Sequence, residues 1–253
     1  MLAQASLLAL VAARISGFVV TSPFPGERLP TTARLALVVV LAFLAASFVP
    51  ATQVKPELGL PLVVAAITEF VCGVMIGAAF RFLLSAADVV GGVSAQSTGL
   101  GAASLYDPSI GAPDSAIGQV MTLLAILVAL GVGAHRVALA YLLESFRALP
   151  VGAAMNVPLA APVLIDLGAQ CLVIGVRLAM PAIAVSLTVQ AALAMVSRAA
   201  PSLQIFSVGF SIMIASGLAA IGASLPAIAT GLAEQALSLG PLLDRLFEAM
   251  AAR

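Results

Sequence analysis

The stretch PLVVAAITEFVCGVMIGAAF, residues 61–80, contains a single charged residue, Glu69. Its length matches the roughly 20 residues that an α-helix needs to cross the hydrocarbon core of a bilayer. Apolar runs of the same kind recur along the chain, at Leu2–Val20, Leu35–Val49 (the shortest), Ile117–Leu142 and Phe206–Ala229. The sequence therefore predicts several membrane-spanning helices.

A further apolar segment, between Pro162 and Val196, is longer than one membrane span and contains Pro181. Because proline removes a backbone hydrogen bond of a helix, this segment forms either one kinked helix or two short ones. Groups of Pro, Gly and polar residues separate the apolar runs, and no run alternates with the period of two that a transmembrane strand requires. The predicted fold class is all-α: a multi-helix integral membrane protein with kinked, broken helices.

The composition excludes several classes of protein. Hydrophobic residues make up 62% of the 253 residues and charged residues only 9%, whereas a soluble domain carries roughly a quarter charged residues. Eleven basic residues balance eleven acidic ones, so the chain lacks the basic surface of a nucleic-acid-binding protein. Lys and Arg are divided almost equally between alternate loops, so their distribution leaves the membrane topology open.

Six charged residues lie within or at the edges of the apolar runs, where an ion facing lipid costs on the order of 3 kcal/mol. Arg81 and Asp88 are seven residues apart, and Asp166 and Arg177 are eleven apart, so each pair shares a helical face. Without a cluster of carboxylates or a second histidine, the pattern favours structural pairing between helices over a proton or ion relay. The predicted intramembrane packing charges are Arg14, Glu69, Arg81, Asp88, Asp166 and Arg177.

Small residues indicate close helix contacts at two places. Gly73 and Gly77 form a GxxxG pattern, which allows two helix backbones to approach closely. The segment GGVSAQSTGLGAAS, residues 91–104, has small or hydroxylated side chains at nearly every position. We interpret this segment as a tight packing surface; a substrate site is the alternative.

The sequence offers little support for enzymatic chemistry. The single histidine, His135, has no Cys, Ser or carboxylate at a spacing that would form a catalytic dyad. Cys72 and Cys171 lie in separate apolar runs and are interpreted as buried hydrophobic side chains. Motifs of zinc proteases, P-loop enzymes, serine hydrolases and dithiol enzymes are absent from the sequence. We therefore predict no enzyme activity and no catalytic, cofactor-binding or metal-binding residue.

Four blocks resemble the FliR/SctT family of type III secretion export-gate proteins, in the order that the family has. The last carries the family's C-terminal motif, represented here by Pro201, Gln204, Phe206, Gly209 and Phe210. After Phe210 the chain departs from the pattern, with Ser211 and Met213 where relatives usually carry proline and then lysine. The blocks are ARISGFVVTSPFPGERLPTTARLALVVVLA (13–42), GLGAASLYDPSIG (99–111), ESFRALPVG (144–152) and RLAMPAIAVSLTVQAALAMVSRAAPSLQIFSVGF (177–210).

The resemblance implies a component of the flagellar export gate, in the bacterial inner membrane at the flagellar basal body. FliP and FliQ would be its assembly partners in a helical pore for unfolded protein substrates, with FlhB and FlhA as further partners. Residues 1–160 would be a FliP-like part and residues 161–253 a FliQ-like helical hairpin, within one continuous structural unit. An injectisome SctT homologue and, less favoured, a stand-alone small-solute transporter are the alternatives.

A polar stretch rich in Gly and Pro interrupts the apolar chain after residue 105. Its prolines and glycine disfavour regular helix, and its two aspartates require a wet environment. With the family resemblance, we expect a flexible loop from Tyr106 to Gly118 that helps to plug the pore; an ordinary loop at the membrane surface is the alternative. The predicted plug residues are Tyr106, Asp107, Pro108, Ser109, Ile110, Gly111, Ala112, Pro113 and Asp114.

Overall fold

The structure, a computed structural model, describes residues 2–24, 30–49, 59–99, 116–153, 155–199 and 205–251. Within these ranges all regular secondary structure is α-helical, which confirms the predicted all-α class. The helices are α1 (Leu2–Thr21), α2 (Thr31–Phe48), α3 (Leu60–Ser97), α4 (Ala116–Val132), α5 (Ala134–Ala148), α6 (Val157–Ala199) and α7 (Ile205–Ala251).

Five of these helices, α1, α2, α3, α6 and α7, are long and apolar enough to cross a membrane. Helices α4 and α5 together form a sixth candidate, as one broken span. This arrangement agrees with the predicted membrane protein with broken helices.

Three helices are much longer than a bilayer requires. Helix α3 has 38 residues, α6 has 43 and α7 has 47, which correspond to about 57, 65 and 70 Å at a rise of 1.5 Å per residue. The hydrocarbon core is only about 30 Å thick. Each of these helices therefore extends well beyond one membrane crossing.

The structure resolves the alternatives around Pro181, because α6 runs through this proline as one continuous helix. Helix α7 continues past Ala229, where the predicted run ends, to Ala251. Its second half keeps apolar residues at helical spacing, and Leu232, Leu239 and Leu243 are buried. Tertiary packing of this stripe thus extends the helix beyond the most hydrophobic part of the sequence.

The apolar run Ile117–Leu142 forms two helices, α4 and α5, and not one. The chain breaks at Gly133, whose φ of 84° lies in the left-handed region. Glycine adopts this conformation without the steric cost that a side chain adds. The sequence LGVGAHRV around this break is largely apolar, so hydrophobicity alone does not indicate the break.

The chain divides into two compact units. The first comprises residues 1–82, 133–169 and 237–253, and its core includes Leu10, Ile15 and Phe18 of α1. The second comprises residues 83–132 and 170–236, and its core includes Val90 and Ile228. Helices α3, α6 and α7 contribute to both units. The division into residues 1–160 and 161–253, with its FliP-like and FliQ-like parts, stays a prediction.

Candidate functional site

Helices α1 and α3 touch backbone to backbone in the first unit. A methyl group at Gly73 would overlap the carbonyl oxygen of Arg14, and one at Gly77 would lie 2.8 Å from the carbonyl oxygen of Phe18. From the α1 side, a methyl group at Gly17 would overlap a carbonyl oxygen of α3. The close approach predicted from Gly73 and Gly77 is thus confirmed, and small side chains are its physical cause.

The side chains of Arg14 and Glu69 meet at this contact. Arg14 Nε donates to Glu69 Oε2 at 2.5 Å, and both side chains are 0% exposed. The two residues are 55 positions apart in sequence. The pair places a full charge of each sign in the protein interior, where an unpaired charge would be strongly unfavourable.

Arg14 also caps the C-terminal end of α5. Its Nη1 donates to the carbonyl oxygen of Ser145 at 2.8 Å and to the hydroxyl oxygen of the same residue at 3.2 Å. Its Nη2 donates to the carbonyl oxygen of Leu149 at 3.0 Å. The carbonyl oxygen of Ser145 also accepts the backbone N–H of Leu149 at 2.9 Å. Carbonyl groups at the end of a helix carry partial negative charge, so a buried guanidinium that donates to them is stabilising.

Glu69 in turn holds the segment that follows α5. Its second oxygen, Oε1, accepts the backbone N–H of Gly152 at 2.8 Å. Gly152 has a φ of 79° and closes a turn in which the N–H of Ala153 donates to the carbonyl oxygen of Pro150 at 3.1 Å. Each oxygen of the buried Glu69 carboxylate therefore accepts a hydrogen bond, one from Arg14 and one from Gly152.

The ring of Phe146 covers the guanidinium, with Arg14 Cζ 4.5 Å from the ring centroid. This cation–π contact uses the planar group of Arg14 without competing for its N–H donors. We refer to Arg14, Glu69, Ser145, Phe146, Leu149 and Gly152 as the Arg14 cluster. Its ion pair and hydrogen bonds join α1, α3, α5 and the turn after α5.

The other predicted packing charges have different surroundings. Arg81 is half-buried. Asp88 is exposed, and its Oδ1 accepts a hydrogen bond from Thr122 Oγ1 of α4 at 2.7 Å, within the second unit. Asp166 and Arg177 are both exposed on α6. Among the six, the structure buries Arg14 and Glu69 completely.

The segment predicted to pack tightly does so over its described part. A methyl group at Gly91 would lie 2.6 Å from the Cα atom of Gly118 in α4. Thr98 is buried, and its side chain fills the space beside Gly217 of α7. Gly99, with a φ of 80°, ends the turn after α3. These contacts, all within the second unit, agree with packing as the role of this segment.

Part of the predicted site lies outside the residues that the structure describes. This holds for the plug residues 106–114 and for Pro201 and Gln204 of the C-terminal motif. Residues 116–118, predicted as the end of the loop, form the first turn of α4. Phe206 and Gly209 lie in α7, with Gly209 buried. The side chains of Phe210 and Met213 lie beside Gly99.

Sequence reasoning identified Arg14 and Glu69 but did not pair them with each other. It also missed Ser145, Leu149 and Gly152 as partners, because Leu149 and Gly152 contribute only backbone groups and Ser145 contributes its backbone carbonyl beside its hydroxyl. One signal was available. The block ESFRALPVG, residues 144–152, which was noted for its family resemblance, contains every α5-side member of the cluster.

Metal binding has no support in the described ranges, where no group of three or more His, Cys, Asp or Glu residues is placed to hold an ion. The histidine singled out in the sequence, His135, is the second residue of α5.

Comparison with known proteins supplies the family. The sequence model of "Bacterial export proteins, family 1" matches residues 5–238. The chain belongs to this family. Among curated relatives of this export-family chain is the flagellar biosynthetic protein FliR of Aquifex aeolicus, 33% identical over 216 residues, which cover 85% of this chain and 83% of that protein. FliR of Caulobacter vibrioides is 30% identical over 229 residues, which cover 89% of this chain and 91% of that protein. FliR of Escherichia coli K12 is 28% identical over 217 residues, which cover 85% of this chain and 83% of that protein.

These relatives confirm the resemblance to FliR that the four sequence blocks indicated. The matched region of the export family includes α3, α5 and α6 in full and α1 from residue 5 onward, and therefore every residue of the Arg14 cluster.

Proposed function

We propose that the chain is a component of the flagellar export apparatus that assembles with FliP and FliQ homologues into a helical pore for unfolded protein substrates. Membership of a bacterial export family and the names of the FliR relatives support this proposal. FlhB and FlhA homologues would be further partners. The assembly would reside in the bacterial inner membrane at the flagellar basal body.

The observation that carries the proposal is the amount of apolar helix surface that the chain leaves uncovered. Helices α2, α6 and α7 each contain an apolar segment of 18 residues, and only 11% of this segment is buried in α2, 22% in α6 and 17% in α7. Large side chains such as Phe43 and Phe48 of α2 are 75% and 71% exposed. Because α6 and α7 are each about twice as long as the hydrocarbon core, lipid alone cannot cover them. Neighbouring subunits of one large assembly would supply the remaining cover.

Contacts between α6 and α7 in the second unit support a FliQ-like hairpin in residues 161–253. Gln235 Nε2 donates to Cys171 Sγ at 2.7 Å, and Gln190 Nε2 donates to Met213 Sδ at 3.7 Å. From Cys171 to Gln190 the chain advances along α6, whereas the residues they contact in α7 go back from Gln235 to Met213. The two helices therefore run antiparallel. Residues 1–160 would then be the FliP-like part.

Co-purification tests the assembly. The tagged chain, expressed together with its genomic neighbours, is expected to elute as one large particle that contains FliP-like and FliQ-like proteins. Intact-particle mass measurement checks the composition. A monomer that transports a small solute in liposomes would contradict the proposal and favour the stand-alone transporter. Injectisome neighbours in place of flagellar ones would favour the SctT alternative.

We also propose that residues 106–114 help to plug the pore when no substrate passes. Deleting Ser109–Asp114 from the assembled complex is then expected to increase ion leak across the inner membrane, because a polar obstruction is removed from a wet channel. Conductance of cells or proteoliposomes that contain the complex measures the leak. Deleting the six residues Ala51–Pro56, between α2 and α3, is the matched control. Equal leak from both deletions in correctly assembled complexes refutes the plug.

A further inference from the structure

Helix α6 presents a continuous exposed face in the second unit. Its buried residues there include Cys171, Ala179, Ala182 and Ser186. Opposite them the spacing alternates between three and four residues, and Val173, Met180 and Leu187 are 57%, 56% and 59% exposed. We call this exposed set the Arg177 seam; it comprises Gln170, Val173, Arg177, Met180, Ala184 and Leu187.

The spacing of the seam indicates what kind of element fits it. Apolar positions that alternate by three and four residues average 3.5 per turn, the repeat with which one α-helix packs along another. The seam continues beyond Leu187 with Ala191 and Ala194, both exposed. Small side chains at these positions allow a second helix backbone to approach closely.

Arg177 sets the chemistry of the partner. It lies near the middle of the 43-residue α6 and is exposed, and no described residue forms an ion pair or hydrogen bond with it. Val173 and Met180 flank it on the same face. A guanidinium in such apolar surroundings is best satisfied by a carboxylate, which can accept two parallel N–H bonds from it.

Lipid alone does not explain the exposed Arg177 seam, whichever half of α6 crosses the membrane. If residues 178–197 cross the hydrocarbon core, Arg177 reaches the interface, but the preceding half of the helix leaves the core with Val173 of the seam 57% exposed. If the preceding half crosses instead, Asp166 lies in hydrocarbon without lipid able to neutralise it. A protein partner covers apolar surface and charge together.

We propose that the Arg177 seam is the docking surface for an α-helix of another subunit, and that this helix carries an Asp or Glu side chain opposite Arg177. The inference rests on the proposed assembly and specifies one of its contacts. The partner helix would pack along the seam from Gln170 to Leu187, with its carboxylate between the levels of Val173 and Met180.

Photo-crosslinking identifies the partner. A benzophenone amino acid is placed at Met180 or Leu187 of the full chain in the assembled complex, and Val196, 47% exposed but off the seam, serves as the control position. Both seam positions are expected to crosslink to one helix of another subunit that contains a carboxylate, and the control is not. Adducts with phospholipid, with a second copy of this chain, or with a segment that lacks a carboxylate overturn the proposal.

Charge reversal provides a second, independent test. Arg177→Glu is expected to reduce the yield of the co-purified partner at least about tenfold, because two carboxylates then face each other. Arg177→Lys keeps the charge but loses the two parallel N–H bonds, and should reduce the yield less than Arg177→Glu. Arg136→Glu changes an exposed arginine of α5 outside the seam and should keep the yield within about twofold. The isolated Arg177→Glu chain should melt within about 2 °C of the parent, which shows that its fold is intact.

The two proposals fail in different ways. If the unaltered chain co-purifies with its partners and Arg177→Glu does so equally well, the seam proposal is refuted and the assembly stands. If the unaltered chain does not co-purify with FliP-like and FliQ-like proteins, the assembly itself is refuted, and the seam proposal with it.

Discussion

Replacing Glu69 with alanine is expected to lower the free energy of unfolding by about 3–5 kcal/mol, because Arg14 would keep its charge in the interior without a carboxylate. The N–H of Gly152 would lose its acceptor as well. Chemical or thermal unfolding of the purified chain in detergent measures the loss. Such a decrease is a large part of the stability of an ordinary domain, so we also expect reduced accumulation of the protein in cells and loss of motility.

Two further variants distinguish the buried charge from the mere loss of a side chain. Glu144→Ala removes an exposed glutamate from α5 and is expected to change the unfolding free energy by no more than about 0.5 kcal/mol. The double variant Arg14→Met, Glu69→Leu removes both charges, and we expect it to be more stable than Glu69→Ala alone. A Glu69→Ala protein as stable as the Glu144→Ala protein would show that the ion pair does not hold α1, α3 and α5 together.

Replacing Gly73 with alanine has the second largest expected effect. The added methyl group would overlap the carbonyl oxygen of Arg14, so α1 and α3 must separate. Overpacking of this kind costs about 1–3 kcal/mol or more, since neither backbone can move aside cheaply. The same unfolding measurement in detergent checks it, with co-purification of the partner subunits as a second readout.

Gly92 gives a matched control on the same helix. A methyl group there meets nothing within 4 Å, and alanine is favoured over glycine within a helix by about 0.5–1 kcal/mol. Gly92→Ala is therefore expected to leave stability unchanged or to raise it slightly. If both substitutions change stability equally, the effect at Gly73 comes from helix propensity and the steric argument fails.

Gly73→Ala and Glu69→Ala are both expected to weaken the contact between α1 and α3. Gly73 packs against the backbone of Arg14, whose side chain forms the ion pair with Glu69. Separating α1 from α3 would lengthen the hydrogen bonds of the Arg14 cluster as well. The losses in Gly73→Ala and Glu69→Ala should therefore sum to more than the loss in the double variant, as for other residues in one network.

Local properties of the chain were sufficient for most of the fold. The apolar runs around residues 61–80 and 2–20 predicted spanning helices, and α3 and α1 contain them. The GxxxG pattern of Gly73 and Gly77 predicted a close helix contact, which α1 supplies. The family followed from motifs that stand in order along the chain. These features depend on neighbouring residues, whose spacing the sequence displays directly.

Whether a helix continues or breaks at a proline or glycine could not be predicted from the neighbouring residues alone. Pro181 left one or two helices open, and the structure has one continuous helix, α6, with Ala179 and Ala182 buried on either side of the proline. Gly133 was overlooked as a break because its apolar neighbours have the composition of a helix. In each case the energy of a single proline or glycine is small beside that of tertiary contacts formed by residues far away.

The sequence by itself therefore determined the helical class, the membrane character, the family and the presence of costly charges in apolar helices. Only the tertiary structure decided which groups pair with Arg14: a carboxylate 55 residues away neutralises its charge, and carbonyl oxygens 131 and 135 residues away accept its hydrogen bonds. The physical reason is that hydrophobicity and helical period are properties of short segments, whereas the partner of a buried charge is set by which helices can approach closely enough to touch. Here small residues on two helices that are distant in sequence permit the close approach. A small residue indicates that a helix can pack closely, but it does not indicate which helix is the partner.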